Sequence, residues 1–221
     1  MTTKQDTEVR NRARRRVATM LTIAVACATI AAGVAQAAGN SRVIHRRADV
    51  MVQGGGDVYQ SRGAYLQRMD HSLEVWWSVK TPESGSYVYP TPDMVPPGAP
   101  PHPPLEPGDD EVFTLWLFVF DNPELCSDGV CDGDDVGNVG VGGSVYQVDG
   151  EIAYRTRLRM SGKVRLGQAA ANGPGLSNPL GAEVHVAMAP HGAARDGADL
   201  IRQLNSPVGN PTLWWAALFL P

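Results

Sequence analysis

Three side chains carry the strongest chemical signal in the sequence. Glu183 and His185 stand at i and i+2 in the stretch AEVHVAM, and His191 follows after Pro190. The alternation of residues 182–188 predicts a strand, so Glu183 and His185 project from one face. An imidazole and a carboxylate at that spacing can ligate zinc or a similar metal, or form a base with its orienting partner. A bend at Pro190 would bring His191 over the same face as a third ligand. The competing reading is a hydrogen-bonded Glu183–His185 pair that fixes the strand end, with His191 in a turn. No fourth ligand can be named, and a closed zinc site needs one.

A second cluster is acidic. Residues 106–135 hold ten carboxylates and no basic side chain. Within them Asp128, Asp132, Asp134 and Asp135, with Asn138 beyond, offer the hard oxygen ligands that calcium takes. The calcium-loop spacing D-x-[DN]-x-[DN]-G is not met, since a start at Asp132 puts Val136 where an acid is required. The alternative is a solvated acidic loop, or one paired with Arg155, Arg157 and Arg159, which alternate along a predicted strand. The same loop holds Cys126 and Cys131, expected to form a disulfide in an exported chain. Nucleophile-elbow, phosphate-loop, papain-like and H-E-x-x-H motifs are absent from the sequence.

The elements that must position these groups are short strands. Residues 112–120 read as one long strand without charge, ended by Asp121-Asn122-Pro123. In residues 73–79 Leu73, Val75, Trp77 and Val79 share one face, leaving Trp76 on the other. Residues 45–53 suit an edge strand, and residues 61–70 are a short turn or strand. Asp149-Gly150 predicts a tight hairpin between residues 144–148 and 151–160. Pro190-His191-Gly192 is expected to end its strand. Residues 199–204 suit a helical turn, and residues 213–220, apolar on both faces, suit a central strand. Residues 90–107 contain nine prolines and predict an extended surface loop. The fold expected is all-β, an antiparallel sandwich or barrel with long loops.

The N-terminus places this domain. Arg10, Arg12 and Arg14 to Arg16 precede an apolar, alanine-rich run, and Ala35-Gln36-Ala37 is a small-x-small cleavage site. Residues 1–37 thus read as a signal peptide for a secreted or periplasmic protein, leaving 38–221 as one domain. The export route, general or twin-arginine, stays open. Residues 38–221 keep 13 basic and 21 acidic side chains, a formal charge of −8. That balance argues against nucleic acid as a partner, and against a membrane except through an uncleaved signal segment.

Two stretches resemble known proteins. PGDDEVFTLWLFVFDNPELC (107–126) and GPGLSNPLGAEVHVAMAPHG (173–192) are similar to a group of uncharacterised exported bacterial proteins. The second also resembles the chordin-type (CHRD) domain, an all-β extracellular module without known enzymatic activity. The resemblance implies fold and location and brings no catalytic residue. The reading is an exported, non-catalytic binding or structural module for an extracellular or cell-surface ligand, with no obligatory cofactor. The alternatives are a metal-dependent enzyme using Glu183, His185 and His191, or a carbohydrate-binding module using exposed tryptophans such as Trp76 and Trp214.

Overall fold

The computed structural model describes residues 42–52, 56–83, 108–153, 156–205 and 214–221. The expected signal segment, residues 87–89, the proline-rich loop 90–107 and Arg155 lie outside them. Eight antiparallel strands run in chain order. They are β1 (Val43–Val52), β2 (Val58–Met69), β3 (Ser72–Lys80), β4 (Glu111–Phe120), β5 (Gly143–Ala153), β6 (Arg157–Arg165), β7 (Glu183–Ala193) and β8 (Trp215–Phe219). The helix α1 (Gly197–Leu204) lies between β7 and β8. The strands form one sheet in the order β5-β4-β7-β8-β1-β2-β3-β6.

This sheet is a nearly closed barrel. Its two edges, β5 and β6, approach each other along a seam. Gly162 of β6 makes the approach possible, because a Cβ there would meet Val148 Cβ at 2.4 Å. Across the seam Ser161 N donates to Asp149 Oδ2 at 2.7 Å. Inside, alternate residues of every strand pack into one core. Phe113, Leu115, Leu117 and Val119 of β4 meet Leu73, Val75, Trp77 and Val79 of β3 and Trp215 and Phe219 of β8. Strand β4 is buried on its outer face too, at Val112, Thr114, Trp116 and Phe120, so its uncharged sequence reflects two covered faces.

Four sequence expectations change. Of the expected edge strand 45–53, the described residues 45–52 are not at an edge: β1 pairs with β2 on one side and β8 on the other. Residues 61–70, expected as a short turn or strand, are strand up to Met69, as part of the twelve-residue β2, with Asp70 in the turn that follows. Asp149-Gly150 makes no hairpin; β5 runs straight through it against β4, with a bulge at Leu115/Trp116. The second expected arm, β6, pairs with β3 instead. Its local turn preference loses to the pairing of β5 with β4, ten residues long and buried. Lastly, β7 continues through Pro190-His191-Gly192 to Ala193. A register shift lies opposite, between Glu111 and Phe113, and a bulge is where a strand tolerates proline.

The arginine row keeps its forecast direction. Arg157 and Arg159 point outward while Leu158, Met160 and Val164 point into the core. Among the described residues, the expected carboxylates of 106–135 do not meet Arg157; it donates instead to Ser78 Oγ at 2.9 Å and Ser78 O at 3.2 Å.

Candidate functional site

The outer face of β4, β7 and β8 carries the cleft. Outward on β4 are Trp116, Phe118 and Phe120, and on β7 Glu183, His185 and Ala187. On β8 the outward pair is Ala216 and Leu218. Phe118 lies opposite His185, His185 opposite Leu218, and Ala187 opposite Ala216. Two methyl groups side by side leave a hollow where larger side chains would fill the surface. Its walls are Phe118, against Trp214 at 5.7 Å between centroids, and Phe120, edge-on to His185 at 5.2 Å. The third side is the disulfide loop, through Cys131, Asp132 and Gly133. The hollow measures about 310 Å³. That is at the small end of ligand pockets, which combine apolar walls with a few placed polar groups.

The polar group here is the pair found by spacing. His185 Nε2 and Glu183 Oε1 are 2.6 Å apart. Glu183 is nearly buried while His185 keeps a quarter of its side chain exposed. A carboxylate partner fixes the proton on Nε2. Nδ1 is then the nitrogen free to meet a ligand, and it has no protein partner among the described residues.

His191 is not part of this group. It stands six residues along the same strand, roughly 20 Å away at strand rise, and is fully buried. Its Nε2 bonds Thr114 Oγ1 at 2.7 Å, and that hydroxyl also accepts from Trp116 Nε1 at 2.7 Å. Gln203 of α1 donates to the carbonyls of His191 and Ala193 at 2.7 and 2.9 Å. His191 therefore helps dock the helix on the barrel. The expected bend at Pro190 does not occur, so Glu183, His185 and His191 cannot share one ion. Among the described residues, no three histidines, cysteines or carboxylates gather as a metal set.

The four loop aspartates also point apart. Asp135, buried, accepts from Ser127 N and Asp132 N, each at 3.2 Å. Asp132 Oδ1 caps Asp134 N at 2.8 Å, and Asp128 Oδ1 takes Val130 N at 3.0 Å. Asp134 is exposed. These acids fold the loop by satisfying its own N–H groups, and only Asp132 reaches the cleft.

Cys126 and Cys131 stand at bonding distance, 2.12 Å between sulfurs, and pack with Phe120 and Val141. Mass spectrometry of the unreduced protein should find no free thiol in the peptide carrying both. Reduction should cost about 2 kcal/mol by the loop-closure relation. Two alkylatable thiols in the native protein would show the bridge absent.

Sequence spacing found Glu183 and His185 but missed the cleft around them. Phe118 and Phe120 left a trace, since a strand apolar at every position must be covered on both sides. Ala187 and Ala216 left none, because a missing side chain matters only beside its neighbour on another strand. Compared with known proteins, the chain matches no family model, no curated protein and no solved structure.

Proposed function

We propose that the chain is an exported, non-catalytic binding module that takes a small apolar or aromatic group into the cleft beside His185. One observation carries this reading: an alanine-floored hollow with aromatic walls and a single oriented polar pair at its rim. Burying a ring against Phe118 and Trp214 supplies affinity, and His185 Nδ1 selects a ligand with one hydrogen-bonding group. The polar side chains of the described lining are His185 and Asp132; beside them is no hydroxyl or free thiol for the imidazole to activate, since Cys131 is at bonding distance from Cys126. Export is supported by the signal-like residues 1–37, by the cysteine pair, and by the resemblance to exported bacterial and chordin-type β-proteins.

Benzyl alcohol is a suitable probe. Titrated into the purified full chain, it should give saturable NMR shifts at the Trp214 Nε1–H and the His185 ring. Ala216→Leu fills the hollow from a partly exposed position, so stability should change by no more than about 0.5 kcal/mol. The saturable shifts should vanish in that variant. Shifts that persist in Ala216→Leu, or a parent protein with none, would exclude the cleft as the binding site.

A further inference from the structure

The barrel has a second exposed face, formed by β1, β2, β3 and β6 away from the cleft. Arg47, Tyr65, Trp76 and Ser161 stand side by side across these four strands. The Arg47 guanidinium lies over the Tyr65 ring at 5.6 Å. Tyr65 meets Trp76 at 5.2 Å and His45 at 5.8 Å between ring centroids. Trp76 is 41 % exposed, although β3 had the inward side free for its partner Trp77. An indole left in water beside two other rings is a stacking surface.

Cations flank that surface. Arg159 lies opposite Ser78, two residues from Trp76, a diagonal neighbour about 7–8 Å away at the backbone. Arg165 extends the line along β6. Neither forms an ion pair among the described residues. Two neighbouring carboxylates are engaged: Glu74 pairs with Lys163, and Asp149 accepts from Ser161 N at 2.7 Å and Gly150 N at 2.9 Å. A strip of ring and unpaired guanidinium is thus set into a chain whose charge over residues 38–221 is −8.

We propose that this face binds an acidic polysaccharide, with a uronate ring stacked on Trp76 and its carboxylate held by Arg159. The net negative charge of the chain opposes both a uronate polymer and a nucleic acid, so attraction must come from the local cations; the uronate is favoured because the exported chain proposed above meets extracellular polysaccharide, a preference that rests on that reading. A uronate polymer carries one carboxylate per sugar ring, and that alternation of an apolar C–H ring face and a single anion matches the alternation of Trp76 and Arg159. The guanidinium fork meets a carboxylate through two bonds, which sets orientation as well as attraction. This site is independent of the cleft, so Ala216→Leu leaves it intact.

The test is calorimetric titration of the purified full chain with polygalacturonate at low salt. Three further probes are its methyl ester, polyglutamate and oligothymidylate. Polygalacturonate should bind, with affinity falling as salt screens the exposed charges. Trp76→Ala and Arg159→Gln should each weaken binding about tenfold, while Trp76→Tyr retains most of it. The methyl ester, which has the rings without the charge, and polyglutamate, which has the charge without the rings, should both bind at least about tenfold more weakly. Thermal unfolding separates loss of binding from loss of fold, and Arg159→Gln, with no ion-pair partner to lose among the described residues, stands as the second variant. The proposal is overturned if polygalacturonate does not bind, if neither Trp76→Ala nor Arg159→Gln weakens it, or if polyglutamate binds equally well. Oligothymidylate binding with the same dependence on Trp76 would overturn it in favour of single-stranded nucleic acid.

Discussion

Arg68→Met is expected to lower the unfolding free energy by about 3 kcal/mol and the Tm by roughly 6–12 °C for a domain of this size. Arg68 sits on the inward face of β2 and is 1 % exposed. Its Nη1 donates to the carbonyls of Pro179 at 3.2 Å and Ala182 at 2.6 Å. Its Nη2 donates to Phe219 at 3.1 Å and Leu220 at 3.2 Å. One guanidinium therefore ties the loop before β7 to the chain leaving β8. Burial pushes its pKa down to about 10, with repulsion from Arg46 adding to the shift, so it remains cationic at neutral pH. Two effects oppose each other in the variant. Methionine removes the cost of desolvating a charge, several kcal/mol for an ion without a counter-charge. It also strands up to four carbonyls, each a loss of about 1–3 kcal/mol where water cannot reach. The second effect wins here because four bonds are broken and a thioether replaces none of them. Arg68→Lys should recover only part of the loss, since an ammonium cannot reproduce a planar fork that spans two segments. Urea melts of both variants decide the sign. A methionine variant as stable as the parent would mean that desolvation dominates.

Asp121→Ala should cost about 4 kcal/mol. Asp121 follows β4 directly and is buried. Its Oδ2 accepts from Ser177 N and Ser177 Oγ, each at 2.8 Å, and its Oδ1 from Asn178 N at 2.9 Å. Asn178 Nδ2 returns a bond to Asp121 O at 3.0 Å. Bonds to a carboxylate are about twice as strong as neutral ones, and removing the acceptor leaves two backbone N–H groups to find others. Asp121→Asn is the informative control. Its single amide oxygen can serve one side, while its NH2 faces a donor on the other, so it should recover less than half of the loss. Near-parental stability for Asp121→Asn would show that charge and double acceptance contribute little at this position.

These two anchors show what could be read from the sequence and what could not. Asp121 was visible as the end of a strand, but its partners lie more than fifty residues away and no local pattern announces them. Arg68 looked like one more polar residue in an ambiguous stretch; only the inward position of Ala64 and Leu66 on β2 reveals which way it points. Strand β3 was legible down to the opposite facing of Trp76 and Trp77, because its alternation is unbroken. Strands β5 and β7 were cut short by trusting Asp149-Gly150 and Pro190, whose turn preferences give way to pairing with β4. At the cleft the same division holds. Glu183 and His185 could be paired from their spacing alone. His191 could not be separated from them without knowing that β7 runs on, nor could the floor of Ala187 and Ala216 be foreseen without the strand order.

The position of β8 has a consequence for the timing of folding. Among the described residues, the five of Trp215–Phe219 are the only strand joining β7 to β1. Until they are in place, β1-β2-β3-β6 and β5-β4-β7 are two partial sheets, each with a hydrogen-bonding edge unsatisfied and half of a shared core open to water. This short strand is thus the keystone, and its contacts with β1 close a loop of more than 160 residues. Such closure makes folding slow and late.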